Sequence, residues 1–593
     1  TMPLDDFILV AKRWKHEAQE LRREYDDQWS KNIRNVRGIF DAGETEKSKV
    51  RGRSKLFYRK IWAISWRILA SFYQIFLRDP ENFKIVGRDA QNDTLSSKVL
   101  HFITKWRYEQ MMRVDSLFTQ FMWAFQDIIN LGFCVGKFRW VLNEYEDKPE
   151  FVLYPPEQVW HDMTTAVKEK KKYIIFENWS TKDELMQLGY DESKIDKLEP
   201  QNPETNLVRQ TRFQNQKDPL QNPGENEYPL GGKHQEANKN EVIKAEDRFV
   251  WFEVFYKEDG KCFFASYSGD EILREPEESV YGRRYPVVMG QCLTLSHKAM
   301  GEGFPEPLED VQASINAHLN QRKDNVSLAL NGRTIVSRFA NVDLMSLTRS
   351  RAGGVTLADD VSGVIDRPFN NVTQSAYAES AADDIMMQEM SGVTPQKQGQ
   401  GEEIKATVAQ INLAESNAKI DLFAAIVKET FLMDFFSTLA SLIQQFETNE
   451  TVFRVANENF REKGEFANSD LDIFDLGDEV DLQLNVGLGA VGRQFEIEQN
   501  MLAMDRANMS NQAMIGLLQS GAIPQSEVRL VDTTKFFEEI LPKLGHKNVQ
   551  DFFFNVAPAP PQQQGGLDPS LAGAGQPVVG GAGGEQAGRF GLQ

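Results

Sequence analysis

Between Glu402 and Glu447 the chain contains neither proline nor glycine. If helical throughout, that stretch spans roughly 65 Å, far longer than a compact domain needs. The residues before it are equally ordered. Gly301-Glu-Gly-Phe-Pro-Glu-Pro-Leu-Glu-Asp310 reads as a helix start, because proline fits a first helical turn and acids favour the positive end of the helix dipole. Apolar Leu308, Val311, Ile315, Leu319, Val326 and Leu330 then recur at helical spacing until Asn331-Gly332 stops the pattern. The spacing predicts a helix of roughly 40 Å.

Short apolar runs at 334–336, 353–357 and 361–365, punctuated by glycine, predict hairpin strands. A second helix is predicted over 373–390, and a Pro-, Gln- and Gly-rich loop from Thr394 to Gly401 leads into the long helix. The rest of the chain is organised around this order of helix, hairpin, helix, loop and rod.

A chain of 593 residues holds roughly four domains on the usual length prior. A hydrophobic fraction of 41% with 39 Phe and 10 Trp describes ordinary folded protein. The net charge of −20, from 67 Lys+Arg against 87 Asp+Glu, argues against tight charge-driven binding of nucleic acid. It suits a conduit, since a wall that neutralised many phosphates would hold a duplex rather than let it slide. Cys134, Cys262 and Cys292 are odd in number and widely spaced, so neither a disulfide framework nor a zinc site is expected, and a reducing compartment fits. The opening Met2-Pro-Leu-Asp-Asp6 lacks a signal-peptide layout, and Arg67 and Asp434 interrupt the most apolar runs. A soluble chain without membrane insertion is expected.

Phe7, Ala11, Trp14, Ala18, Leu21 and Tyr25 sit at helical spacing over 4–36, a face for its own domain or for a neighbouring subunit. Helices are predicted over 61–77 and 97–130, and strands at 83–87, 131–140, 151–160, 173–179, 249–256, 262–267 and 287–295. Thr181-Lys-Asp-Glu184 is a capping box opening a short helix that stops at Gly189. Residues 191–240, dense in Asn, Gln, Pro, Glu and Gly, read as a polar insertion. Strands at 452–455 and 480–486 are predicted to rejoin the first domain, followed by helix over 495–554. From Val556 onward the Pro-, Gln- and Gly-rich tail buries too little to offset its ordering entropy.

Catalytic motifs fail on inspection. Gly487-Leu-Gly-Ala-Val-Gly492 matches the dinucleotide fingerprint literally, yet no second strand of a βαβ unit follows, so a glycine turn is the better reading. No G-x-x-x-x-G-K-[ST] phosphate cradle occurs, which argues against an ATP-driven motor. His16-Glu17 lacks the second histidine of a zinc protease, and the acids from Asp470 to Asp481 miss calcium-loop spacing. No enzyme activity, metal or cofactor is expected.

Charge in the central stretch is patterned. Glu379, Asp383 and Asp384 lie on a predicted helix with no basic residue, while Arg333, Arg338, Arg349 and Arg351 make the first half of the hairpin region basic. Lys397, Gln398, Gln400 and Lys405 lie in or beside the glycine loop, where amides and sparse lysines would make brief phosphate contacts.

The run Gly301-Glu-Gly-Phe-Pro-Glu-Pro-Leu-Glu-Asp-Val-Gln312, then Leu319-Asn-Gln-Arg-Lys-Asp-Asn325, Leu328-Ala-Leu-Asn331 and Val486-Gly-Leu-Gly489, in this order of elements, resembles portal proteins. These are the head–tail connectors of tailed double-stranded-DNA bacteriophages, and the likeness is greatest to those of short-tailed phages. It covers most of the chain.

The resemblance implies an α+β multidomain fold. Its parts would be a wing over 1–300 with the insertion at 191–240, stem helices at 301–331 and 373–393, and a clip at 332–372. A tunnel loop at 394–406, a channel helix at 407–447, wing strands at 448–494, a helical crown at 495–555 and a flexible tail at 556–593 complete it. It further implies a ring, generally dodecameric, at the portal vertex of the virion, assembled in the host cytoplasm. Double-stranded DNA would pass through during packaging and ejection. Implied partners are the terminase large subunit, the major capsid protein, head–tail adaptor and tail proteins, and scaffolding or internal ejection proteins. On this reading Lys397, Gln398, Gln400 and Lys405 face the channel, Glu379, Asp383 and Asp384 form an acidic stem wall, and the four arginines dock motor or adaptor. A nucleotide-dependent enzyme using Gly487–Gly492, or a non-viral helical scaffold, are the alternatives.

Overall fold

The computed structural model describes residues 4–40, 54–77, 83–87, 94–142, 146–200, 207–213, 248–282, 284–330, 334–337, 342–343, 345, 359, 364–366, 373–393, 419–448, 480–484 and 501–514. Residues 1–498 form one compact unit and residues 499–593 a second. In the second unit, 501–514 is a helix exposing Met501, Leu502 and Met509.

The first unit opens with α1 (Leu4–Arg37). Phe7, Ala11, Trp14 and Ala18 are buried against a sheet, as their spacing predicts, but Leu21 is exposed and Arg22 takes the buried place beside it. The reason is polar: Arg22 donates to the carbonyls of Val159 at 2.7 Å and Glu157 at 3.0 Å, closing a turn whose acceptors would otherwise be buried and unpaired.

Helix α2 (Lys60–Phe72) runs into a π-type turn at Tyr73–Leu77. Strand β1 (Phe83–Gly87) is followed by α3 (Thr94–Arg113) and α4 (Leu117–Leu131). The single helix predicted over 97–130 is thus two. Ser116, in the left-handed region at φ 54, breaks it, so that α3 and α4 fold around one aromatic core.

Strand β2 (Phe133–Leu142) pairs antiparallel with β3 (Asp147–Tyr154). The strand predicted across 151–160 is broken by a turn at Pro156–Gln158, because prolines cannot donate to a ladder. Its second half, β4 (Val159–His161), joins another sheet. That sheet continues with β5 (Tyr173–Thr181). Both hydrogen bonds of the Thr181–Glu184 capping box are present at the start of α5 (Lys182–Gln187).

Two short helices follow, α6 (Glu192–Ile195) and α7 (Leu207–Phe213). Helix α7 lies within the polar stretch 191–240 and is packed on α1. Val208 and Thr211 are buried on α1, with Thr211 Oγ1 2.8 Å from Ser30 Oγ. Its polar composition hid a packed helix because its polar groups are paired. Residues 214–247 lie outside the described residues.

Strands β6 (Arg248–Glu258), β7 (Lys261–Ser268) and β8 (Glu271–Glu278) complete the five-stranded order β4-β5-β6-β7-β8. Charged β8, with Pro276 inside it, is not foreseen from sequence. It lies at the sheet edge, where a missing N–H costs nothing. Strand β9 (Val287–Gln291) adds to the far side of β2.

Helix α8 (Pro305–Leu330) leads to the short antiparallel pair β10 (Thr334–Val336) and β11 (Val364–Asp366), then to α9 (Thr373–Ser391). The predicted strand at 353–357 lies outside the described residues. So do 394–418, and with them the start of the predicted long helix. Helix 419–446 carries a π-type turn at Lys428–Leu432 and ends as α10 (Met433–Phe446). Strand β12 (Val480–Leu484) returns to pair with β1, as expected for a segment rejoining the first domain.

Phe435 is the centre of the largest core, with ring centroids 4.9 Å from Phe121, 4.9 Å from Phe138 and 5.1 Å from Phe151. At the helix end, buried Glu447 accepts twice from Arg107, at 2.6 and 2.8 Å. Helix 419–446 is therefore embedded by its apolar face in the core it shares with α4, β2 and β3, and a bidentate ion pair pins its end.

Candidate functional site

The helix–hairpin–helix unit of α8, β10, β11 and α9 is the part of the fold that the sequence singles out, and its root explains the glycines there. A Cβ on Gly303 would lie 2.2 Å from the Asn130 carbonyl oxygen, and one on Gly301 2.4 Å from the Leu293 oxygen. Gly132, at φ +80, abuts the backbone of Glu302. Backbone therefore touches backbone where the chain enters α8, and Phe304 N–H donates to the Ile129 carbonyl at 2.8 Å. The Gly301-x-Gly303 spacing is a close-approach device, not a phosphate loop.

Along α8, two partners bind different flanks. Asp383 of α9 accepts from Ser314 Oγ at 3.1 Å and lies 2.8 Å from His318 Nδ1, and Arg322 stacks over Tyr377. These contacts set α9 antiparallel to α8. On the other flank lies an extended strap, residues 54–59. Asp324 accepts from Ser54 N–H at 2.6 Å, Asn320 from Leu56 N–H at 2.8 Å and Asn316 from Tyr58 N–H at 2.9 Å. Asn320 and Gln312 in turn donate to the carbonyls of Leu56 and Tyr58, at 2.9 and 2.6 Å.

Residues four apart on a helix advance about 6 Å, and two residues of extended chain advance about 6.6 Å. A row of amides and a carboxylate at 312, 316, 320 and 324 can therefore serve alternate strap residues as a sheet edge would. Sequence reasoning passed over the strap. The signal was available in that four-residue spacing of Gln, Asn, Asn and Asp on an otherwise amphipathic helix.

The predicted stem acids fare differently from one another. Glu379 is exposed, Asp384 pairs with Lys60 at 2.9 Å, and Asp383 is buried between α8 and α9. Arg333, Arg338, Arg349 and Arg351, and Lys397, Gln398, Gln400 and Lys405, lie outside the described residues, as does Gly487–Gly492.

Nothing near the root resembles a catalytic centre. Burial, reinforced by Glu302 and Glu309, raises the Glu306 carboxyl above its ordinary value. Burial also works against charge on Arg212, which Asp127 and Glu157 nevertheless hold up from 3.1 and 2.7 Å. Burial pushes the Cys262 thiol up to about 11 and those of Cys134 and Cys292 further up, so none of the three is a reactive thiolate near neutral pH. Among the described residues no group of His, Cys, Asp and Glu could hold a metal ion, and no helix is long and apolar enough to cross a membrane.

No curated protein matches the chain significantly. The family described as Phage SU10 portal protein matches residues 143–570, well over half of the chain, from the β2–β3 turn through α8, the hairpin, α9 and α10. SU10 is a short-tailed phage. With that match over 143–570, this chain belongs to the SU10-type family of phage portal proteins, the head–tail connectors whose oligomeric ring forms the channel for DNA packaging.

Proposed function

We propose that the ring is a dodecamer seated in the major capsid protein through its wing, with α8 and α9 as the stem and the segment around β10 and β11 as the clip. The observation that carries this is the continuous match across 143–570 together with the order helix, β pair, helix. The clip, with Arg333, Arg338, Arg349 and Arg351, offers a basic surface to an acidic partner. It docks the terminase large subunit first and the head–tail adaptor and tail afterwards. DNA leaves by the same channel on ejection, past crown, tail and any internal ejection proteins.

The chain does no chemistry in this scheme. Work comes from a separate ATPase, and the channel contributes geometry and weak electrostatics. Lys397, Gln398, Gln400 and Lys405 make brief phosphate contacts from the tunnel loop. The proposed second stem helix carries exposed Glu379 and no Lys or Arg over 373–391, so it gives phosphate no cation of its own to grip, while Asp383 is taken up by Ser314 and His318 and Asp384 by Lys60. Replacing Arg349 and Arg351 by Glu should abolish motor docking in a pull-down while leaving rings intact. Docking that survives both replacements would remove the clip assignment.

A further inference from the structure

A cleft of about 410 Å³ opens between α2, the C-terminal ends of α1 and α4, and Arg212 of α7. That volume falls in the range of small-molecule sites. Trp62 and Trp66 stand one helical turn apart along its α2 side, with ring centroids 5.9 Å apart. They are 43% and 49% exposed, so both leave indole surface open. Two polar atoms of the lining have no partner in the chain: Ser65 Oγ, in a residue only 5% exposed, and Asn130 Oδ1. Buried polar groups are ordinarily paired, so two orphans on one cleft point to a ligand that completes them.

The charge around the cleft runs against that of the chain. The whole sequence carries −20, yet from Lys47 to Arg78 it has nine Lys and Arg and neither Asp nor Glu. Arg59 is exposed, lies 5.8 Å from the Trp62 ring centroid, and has no carboxylate partner among the described residues. Arg37 is a second cation of the lining, its guanidinium donating to the carbonyls of Thr211 and Arg212. The carboxylate of the lining, Asp127, is held by Arg212 at 3.1 Å. Indole faces, unpartnered hydrogen-bonding atoms and a guanidinium without a carboxylate are together complementary to a planar nitrogenous base carrying a phosphate. The base stacks on tryptophan, its edge donates to Asn130 Oδ1 and exchanges a hydrogen bond with Ser65 Oγ, and the phosphate meets Arg59.

We propose that this cleft binds an unpaired nucleotide of single-stranded nucleic acid, with its base on Trp62 or Trp66 and its phosphate at Arg59. The site is independent of the ring reading above and of the channel residues named there. A duplex keeps its bases stacked and paired, so it offers phosphate to Arg59 but no base face to the indoles. The chain's net charge opposes tight binding, and the site draws on stacking more than on charge. An anionic membrane also meets aromatic and basic side chains, but it supplies nothing to hydrogen-bonding atoms buried in a cleft.

The test is fluorescence anisotropy of a short labelled oligodeoxythymidine titrated with the purified full-length chain at low and moderate salt. Saturable binding is expected, weaker for the same strand annealed to oligodeoxyadenosine. Trp62→Ala and Trp66→Ala should each weaken it about fivefold or more, while Trp66→Phe keeps most of the affinity. Arg59→Ala, at an exposed position, should reduce the slope of log affinity against log salt by about 0.7. Unchanged melting curves separate these losses from misfolding, and Trp66→Phe and Arg59→Ala carry the test if an alanine at a tryptophan position does not fold. No binding at low salt, a duplex bound as tightly as the single strand, or affinity and salt slope unmoved by these replacements would overturn the site. Thymidine monophosphate that competes as well as the strand would overturn the strand as the source of the nucleotide. Co-sedimentation with anionic vesicles that depends on Trp66, without oligonucleotide binding, would overturn nucleic acid in favour of a membrane.

Discussion

The regions that we propose as wing and stem are held together by different physics. Around Phe435 the wing is closed by aromatic rings from α4, β2, β3 and α10, burial that is strong but indifferent to direction. Along α8 the strap and α9 are placed by hydrogen bonds from side chains at fixed spacing, which are individually weak but specify register. Burial anchors the rod where it must not move. Polar register fixes the height of the strap and of α9 on α8.

The comparison predicts a graded response. Phe435→Ala or Arg107→Ala should each cost about 3–5 kcal/mol in denaturant unfolding of the wing, the first by leaving a cavity and the second by stranding buried Glu447. A wing that lost under 1 kcal/mol from either would mean its core is not the anchor.

At the junction, Gly303→Ala should cost about 1–3 kcal/mol, because its methyl meets the Asn130 carbonyl. Gly189→Ala, whose Cβ meets nothing although φ is +85, should cost less. Equal losses would contradict the close-approach reading of Gly301-x-Gly303.

Lys171 sharpens the contrast from the wing side. It is buried, donates to the carbonyls of Asp162 and Thr165 at 2.8 Å, and burial lowers it to about 8. Its folded pKa lies below its unfolded value, so the unfolded chain binds the extra proton within that window. Lys171 therefore costs stability below pH 8, and the cost is relieved as pH rises toward 10. Above that, buried Tyr173 and Tyr285, raised by burial, pull the other way. Relative to Lys171→Met, wild-type stability should climb between pH 8 and 10, and parallel profiles would show that the ammonium is not desolvated.

The smallest effect is expected from the strap. Asn320→Ala removes both bonds to Leu56 and should cost about 1 kcal/mol. The melting curve should barely move, while amide exchange at Leu56 accelerates. Exchange unchanged in the variant would mean the ladder does not hold the strap.

How far the sequence foretold this depends on the kind of signal. Helices α8 and α9 were legible because apolar periodicity and glycine stops mark them locally. The α3–α4 break at Ser116 was not, since no proline or glycine announces it and only packing of both helices on one core requires it. Helix α7 was hidden by polar groups whose partners lie far along the chain, and edge strand β8 by its charges and Pro276, although its partner β7 directly precedes it. In the stem, Asp383 looked like a wall acid from charge alone. Its burial between α8 and α9 depends on Ser314 and His318, which only the antiparallel register brings to it.

The central claim is that many copies of this chain meet around a shared channel. Negative-stain imaging of the purified full-length chain over a range of concentrations tests it most directly. Annular particles with a central channel wide enough for duplex DNA are predicted. A chain that stays a single globule at every concentration would contradict the account.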